Sequence, residues 1–428
     1  MSLCIRSSSP SRRIRTADER RESQFKCTCW MVGILTLWSL GALWVVYQEE
    51  MRESYLIMKR LMRVRWLDLL TNSTVGLESH HPLIRGTRIE GKEAVERFRN
   101  HLACFSESGQ WVHDPVPRHL PWNSMGDVEA SICDERHRRI QGRVSDEKAE
   151  AIATTGAFMD WSVREELKWV WQTNSSCTFM PVDRDDLCKR IGSRGNVMVV
   201  GDSINNEISW SLMNHLLPSY TTGLTRLGFE TRKTDGVYEM CADVLGGAGK
   251  GFKVSFVRND RLSAVRNSSM DKWKNLWHNW EFPWLHLLSE YDVKLLLLNR
   301  GAHYEEDLVL TEALNRTFSI LSTDFPDLQI IYRNTPPGHV RCQTYNKPLQ
   351  KRQDDWSLPR DYYWADFYRQ NQLSEQIVKE FQYIYMDVDT MLSLRPEGHI
   401  SRSDCLHYCL PGPLDLSIQY LYNILLLL

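Results

Sequence analysis

The chain has 428 residues, 42% of them hydrophobic and 25% charged, which is enough for a sizeable core and excludes wholesale disorder. Its net charge of −2 is unevenly placed: residues 1–29 carry seven Lys/Arg against three Asp/Glu, so everything after them is acidic. That acidic remainder lacks the basic footprint of a nucleic-acid binder.

The charge break coincides with WMVGILTLWSLGALWVVY, residues 30–47, which has no charged side chain. As a helix it extends about 27 Å, enough to span a thin bilayer. Trp30, Trp44 and Tyr47 sit near its two ends, where interfacial anchors belong. The stretch after it, YQEEMRES, offers no small-residue cleavage site, so the expectation is an uncleaved signal anchor. Arg12, Arg13, Arg15, Arg20, Arg21 and Lys26 place the N-terminal tail in the cytosol, giving a single-pass type II protein whose remainder is lumenal. Sequons at Asn72, Asn174, Asn267 and Asn315 all follow the apolar segment. Eight cysteines also follow it (Cys104, Cys133, Cys177, Cys188, Cys241, Cys342, Cys405 and Cys409), an even number that predicts up to four disulfides in an oxidising compartment.

Residues 48–70 mix apolar and charged side chains at helical spacing without Gly or Pro, predicting a helical stem or a helix packed on the main domain. The stem region is taken to 100, and 101–190, with four cysteines and several Trp, reads as a disulfide-held cap or as the N-terminal part of the main domain. Trp273, Trp277, Trp280 and Trp284 form a helical stripe expected in the core. From residue 191 the rhythm is α/β. Five short apolar runs, at 196–203, 252–259, 293–301, 328–334 and 383–389, are mostly separated by helix-length spacers. Such runs predict buried parallel strands in a doubly wound sheet, with ligands bound beyond the carboxyl ends.

The chemistry-bearing stretches stand at those ends. VMVVGDSINNE puts Ser203 directly after a buried strand, where a following helix offers backbone N–H groups to an oxyanion. A serine nucleophile needs a base, and the base needs a carboxylate to orient it. SDCLHYCLPG, residues 403–412, supplies Asp404 and His407 three apart. The same stretch also reads as the start of a metal knuckle through Cys405, His407 and Cys409. That reading needs a fourth ligand and reduced thiols, and no metal is expected.

Six blocks carry a family resemblance: CFSESGQWVHDP (104–115), VMVVGDS (197–203), LLLNRGAHY (296–304), YRNTPPGH (332–339), LRPEGHIS (394–401) and DCLHYCLPGPLD (404–415). Over residues 100–428 the chain resembles the GDSL/SGNH-like acyl-esterase, or PC-esterase, family, which includes the trichome-birefringence-like polysaccharide O-acetyltransferases. The resemblance implies a three-layer SGNH-like sandwich with a five-stranded parallel sheet, and a catalytic domain at 191–428. It also implies a Ser203–His407–Asp404 triad, an acyl-serine intermediate, and Golgi-type topology. Asn299 is carried over as an oxyanion donor beside the Ser203 N–H, and His303 as a substrate-binding residue. The Ile204–Glu207 string departs from the Leu-x-Arg-Asn usual in plant members.

Arg258, Arg300 and Arg333, at strand ends, are expected either to hold an anionic sugar or donor phosphates, or to be salt-bridged structural residues. Trp356, Tyr362, Tyr363 and Trp364 are candidates for stacking on sugars, and His399 reads as a structural turn residue. The expected activity is O-acyl transfer, with acetyl as the acyl group, to a glycan in the secretory pathway. The alternatives are a carbohydrate esterase with the same triad and a catalytically silent glycan-binding membrane protein. No bound cofactor is expected; the cosubstrate would be acetyl-CoA or an acetylated carrier, and a separate membrane protein is a candidate deliverer of acetyl groups.

Overall fold

A computed structural model describes residues 82–114, 165–174, 177–218, 237–262, 282–353, 362–400 and 404–428. The anchor at 30–47 and the helix expected at 48–70 lie outside the described residues, as do Asn72, Asn267, Cys133 and Trp356. Among the described residues no helix is long and apolar enough to cross a membrane.

One compact unit runs from His81 to Leu428. Its sheet has six strands in the order β4 (Val237–Met240), β5 (Phe252–Arg258), β3 (Asn196–Gly201), β6 (Val293–Leu298), β7 (Gln329–Arg333) and β8 (Ile384–Met386). Five of these are parallel and coincide with the five apolar runs. The sixth, β4, pairs antiparallel on the edge and was not anticipated, because VYEM is too short to stand out. A separate antiparallel pair joins β1 (Gly109–His113) to β2 (Trp169–Thr173).

Strand alternation builds the layers. Val197 and Val199 of β3, with Leu295 and Leu297 of β6, face one core, which contains Ile204, Ile208 and Leu212 of α3 (Ser203–Leu216). That core also takes residues from α1 (Lys92–Glu107), α2 (Arg184–Gly192) and α7 (Leu416–Leu427). Met198, Val200, Leu296 and Leu298 face the opposite core, against α4 (Leu285–Glu290), α5 (Asp307–Asp324) and α6 (Trp364–Glu380). Successive side chains of a strand point to opposite faces, so a run apolar at every position is one covered on both sides. The result is a three-layer α/β sandwich. Trp284 is fully buried in the second core, while Trp273, Trp277 and Trp280 of the same stripe lie outside the described residues.

One boundary needs correction. Val95, Phe98, Leu102 and Phe105 of α1 are core residues, so 82–100 belongs to the compact unit and not to a stem. The described parts of 101–190 share that same core through Trp171, Leu187 and Ile191, which is the second of the two arrangements expected for this stretch, an N-terminal part of the main domain. The apolar spacing of α1 was legible, but nothing local tells whether an amphipathic helix packs on its own domain or on another.

The chain enters the sheet at β3, goes to β5 on one side, then crosses to β6, β7 and β8 on the other. This reversal is a topological switch point, where ligands of open α/β sheets bind beyond the strand ends. Ser203 stands there.

Candidate active site

Asp202 caps α3: its Oδ1 accepts from Ile204 N at 2.9 Å and Asn205 N at 3.2 Å. Its Oδ2 accepts from Ala302 N at 3.3 Å, tying the serine turn to the loop after β6. Behind it, the fully buried Arg333 donates through Nε to Asn205 Oδ1 at 2.8 Å and through Nη1 to Asn334 O at 2.6 Å, with Nη2 3.7 Å from Asp202. Asn205 donates to Val200 O at 2.8 Å, and a Cβ on Gly201 would lie 2.6 Å from that amide nitrogen. Glycine is required there because the Asn205 amide occupies the space a side chain would take. The serine turn is thus clamped from beneath by buried polar groups bonded to one another, with Arg333 Nη2 held only by its ion pair with Asp202.

His407 Nε2 is 2.6 Å from Ser203 Oγ, and His407 Nδ1 is 2.8 Å from Asp404 Oδ2. Ser203, 204 residues from His407 in sequence, therefore forms one hydrogen-bonded chain with His407 and Asp404. Asp404 Oδ1 also accepts from Leu406 N at 3.1 Å and His407 N at 3.0 Å, closing a turn that fixes the carboxylate against its own imidazole. Burial alone would raise the Asp404 carboxyl, but the His407 ring and these backbone N–H groups outweigh it and bring the group down to about 2. Asp404 and His407 are 33% and 23% exposed, so solvent reaches the dyad.

The loop carrying Asp404 and His407 is held from several sides. A Cys342–Cys405 disulfide ties it to the segment after β7, and Cys409 is disulfide-bonded as well. Cys104–Cys177 and Cys188–Cys241 pair elsewhere, so seven of the eight candidate cysteines are described and all seven are bonded. Tyr408 N donates to Glu207 Oε2 at 3.3 Å, which joins the loop to α3. Asp415, at the end of the same motif, accepts from Gly412 N at 2.7 Å and from the hydroxyl of Ser211, also on α3. Glu207 and Asp415 were missed as supports. Glu207 registered only as a departure from the plant string, and the departure is what grips the loop.

Other expected site residues sort differently. Asn299 is fully buried and donates both amide hydrogens, to Arg333 O and Thr335 Oγ1, each at 2.9 Å. With both donors committed, it braces the ends of β6 and β7 and does not supply the oxyanion donor expected of it. Arg333 is sealed in the clamp beneath Asp202. Arg300, 5% exposed, is bound to Glu305 and to Arg261 O. Both take the salt-bridged structural reading, not the substrate-binding one. Arg258 pairs with the buried Asp260, and His303, about half exposed, places its Nε2 3.0 Å from the same carboxylate and 3.5 Å from Arg258. This clasp bridges the loops after β5 and β6 across the end of β3. The hydrogen bond with Asp260 raises the His303 imidazole, although burial opposes it. Asn174 and Asn315 are exposed. Among the described residues no cluster suits a metal ion.

A mixed α/β sheet thus carries a serine after its central strand, met there by an Asp-x-x-His loop that follows its last strand. Residues 284–424 match the PC-Esterase model, described as a GDSL/SGNH-like acyl-esterase family found in Pmr5 and Cas1p. The matched stretch contains Asp404 and His407; Ser203 is brought to it by the fold. Protein trichome birefringence-like 43 of Arabidopsis thaliana is 24% identical over 299 residues, which is 60% of this chain and 77% of that protein. The resemblance to the PC-esterase family read from the sequence is borne out by these two matches. Distant likenesses in solved structures include the periplasmic domain of a lipopolysaccharide acetyltransferase from Salmonella ser. Paratyphi A (14% identity, TM-score 0.32, 55% of this chain and 85% of that one). A peptidoglycan O-acetylesterase is a second (9% identity, TM-score 0.34, 56% and 94%).

Proposed function

We propose that the chain is a glycan O-acyltransferase, with acetyl as the group transferred, working through an acyl-Ser203 intermediate. The observation that carries this reading is the continuous Ser203–His407–Asp404 hydrogen-bonded chain. His407 Nε2 takes the Ser203 proton as Oγ bonds to the donor's carbonyl carbon. The carbonyl π electrons move to oxygen, and the Ser203 backbone N–H at the start of α3 is the donor placed to meet that charge. Collapse expels the donor's thiolate or alkoxide, which leaves with the proton held on His407. A sugar hydroxyl then loses its proton to the same nitrogen, attacks the acyl-serine carbonyl, and Ser203 recovers its proton as the ester leaves. Asp404 holds the imidazole in the required tautomer and balances its charge while it is protonated.

Exposed aromatics support a sugar acceptor. Tyr362, Tyr363 and Tyr368 are 54%, 45% and 54% exposed, and Tyr363 stacks on Tyr304 with ring centroids 4.0 Å apart. Tyr304 adjoins His303, so this aromatic surface continues from the clasp at the strand ends. Flat faces of this kind suit the C–H face of a pyranose. Trp364, by contrast, is buried.

A second reading, hydrolysis of an acylated glycan, is favoured by the exposure of the dyad, since water that reaches His407 can resolve the acyl-serine. The test is incubation with labelled acetyl donors, with and without oligosaccharides. Label on the sugar supports transfer, and release of free acetate from an acetylated glycan without transfer supports the esterase. Absence of acyl-Ser203 by mass spectrometry across all donors, with no acetate released, would remove both and leave the glycan-binding reading. A secretory-pathway setting, with a type II anchor and a lumenal catalytic unit, is part of the proposal and is supported by the disulfides. Protease protection of a tagged full-length chain in sealed microsomes tests it; cleavage of the C-terminal tag without detergent would exclude that topology.

A further inference from the structure

Two buried imidazoles lie behind the base loop and take no part in the steps above. His339, after β7, and His399, before the loop, are each 1% exposed. His339 Nε2 is 2.8 Å from Ser393 O, His339 Nδ1 is 2.7 Å from His399 Nε2, and His399 Nδ1 is 2.9 Å from His407 O. The Tyr408 ring lies against His399 with centroids 4.2 Å apart. His339 also donates its backbone N–H to Cys405 O at 2.9 Å. A strut of two rings therefore runs from Ser393 to the backbone carbonyl of His407, which already accepts from Ile400 N at 3.1 Å.

The protons on this strut can be counted. Both ends face carbonyl oxygens, which only accept, and the nitrogen–nitrogen contact needs one proton between its atoms. Three contacts need three protons, and two neutral imidazoles carry two. The charged and titratable groups around the pair are Asp404 and His407 of the loop, the Tyr408 hydroxyl, and Arg352, which pairs with Asp389. Burial acts first and disfavours the third proton; Arg352 and His407 add to that, while Asp404 opposes it. The neutral pair then has one arrangement serving both the ring–ring contact and the loop. In it His399 Nδ1–H donates to His407 O and His339 Nδ1–H donates to His399 Nε2. The mirror arrangement serves Ser393 and turns a lone pair toward His407 O.

We propose that His339 and His399 are positioning residues that hold the His407 backbone through the Nδ1–H tautomer of His399, and so keep its imidazole on Ser203. The proposal rests on the Ser203–His407 reading. Two substitutions of His399 separate this role from packing, because each amide imitates one ring nitrogen. In His399→Asn the amide nitrogen stands near Nδ1 and keeps the bond to His407 O. In His399→Gln it stands near Nε2, keeping the contact with His339 and losing the loop.

With p-nitrophenyl acetate as probe, H399N should stay within a few-fold of the parent. H399Q should lose roughly 10²-fold in kcat with KM unchanged, the scale of a catalytic group displaced by about 1 Å. His339→Asn, whose amide can donate to His399 Nε2, should behave like H399N. Circular dichroism melts establish that each variant is folded. Equal losses in H399N and H399Q would overturn the proposal. A measurement that needs neither turnover nor a variant of the pair is the 15N spectrum of the histidines in Ser203→Ala. Nδ1–H on His399 is expected, and Nε2–H on His399 would overturn it. If the parent fails to turn over the probe while that tautomer is present, the triad reading fails and the strut stands.

Discussion

The two halves of the candidate site are built differently. The serine turn is local: β3, Gly201, the Asp202 cap and α3 are consecutive, and the groups that clamp it, Asn205 and Arg333, are sealed beneath it. The loop carrying Asp404 and His407 has local support in the Asp404 turn and in His399 and Ile400, and is also held by remote partners: Cys342, Glu207 and His339, the last acting through His399. It is also partly exposed. A turn made by its own strand and helix positions a nucleophile with little help. A loop that must bring an imidazole to a serine 204 residues away depends on every tether it has.

The contrast can be broken most directly at the chemistry itself. Ser203→Ala should lower ester turnover by roughly 10⁵–10⁶-fold, and Asp404→Asn by about 10⁴-fold, because the second alters only the tautomer and charge balance of His407. Turnover surviving in S203A at more than a hundredth of the parent would remove the triad. Next in size is the Cys342–Cys405 tether, which closes a separation of 63 residues. Chain-entropy reasoning gives about 4 kcal/mol for such a loop. Replacing both cysteines by serine should lower the denaturation midpoint and reduce kcat further than an equivalent destabilisation made on the far side of the sheet. Equal loss of kcat in two such equally destabilised variants would show that the tether acts on the fold alone. Glu207→Gln should be milder: it keeps an acceptor for Tyr408 N but removes its charge, a change of about 1 kcal/mol. A several-fold fall in kcat is expected, with KM steady. A change confined to KM would place Glu207 on the substrate side.

The same contrast explains what could be read from the chain alone. Five parallel strands were legible because burial on both faces leaves an unbroken apolar run, whereas β4, an edge strand of four residues, carries no such run. Ser203, Asp404 and His407 were legible because each sits in a short motif. Asn299, Arg300 and Arg333 were legible as polar residues at strand ends. Their orientation was not, since it depends on which neighbours each meets, and the same strand-end position serves a buried brace or an exposed binding group. Glu207 and His339 carry no local mark. Each matters through one bond to a segment far away in sequence, and the register of those segments is decided by packing.

The smallest effect tests the tethers through pH. The folded state lowers the His339 imidazole to about 4 from an ordinary 6.5, first by burial, and lowers His399 as well. Below pH 6.5 the unfolded chain binds these protons while the folded chain, down to about 4 for His339, does not, so their contribution is full above 6.5 and is lost as pH falls. Asp389, beside Arg352, has the opposite sign: burial raises it to about 6 from 3.8, so its contribution is full below 3.8 and is lost as pH rises through 6. Two imidazoles against one carboxyl leave these groups a net of one proton, a slope of up to about 1.4 kcal/mol per pH unit, with stability falling toward acid. Asp404, lowered to about 2, adds its own loss only below 3.8. Urea titrations from pH 7 to 4.5 measure this slope. Asp389→Asn should steepen it by removing the opposing group, and His399→Asn should flatten it by removing one imidazole. An unchanged slope in H399N would mean that His399 takes up its proton equally in the folded and unfolded chain, as a ring buried behind the base loop would not.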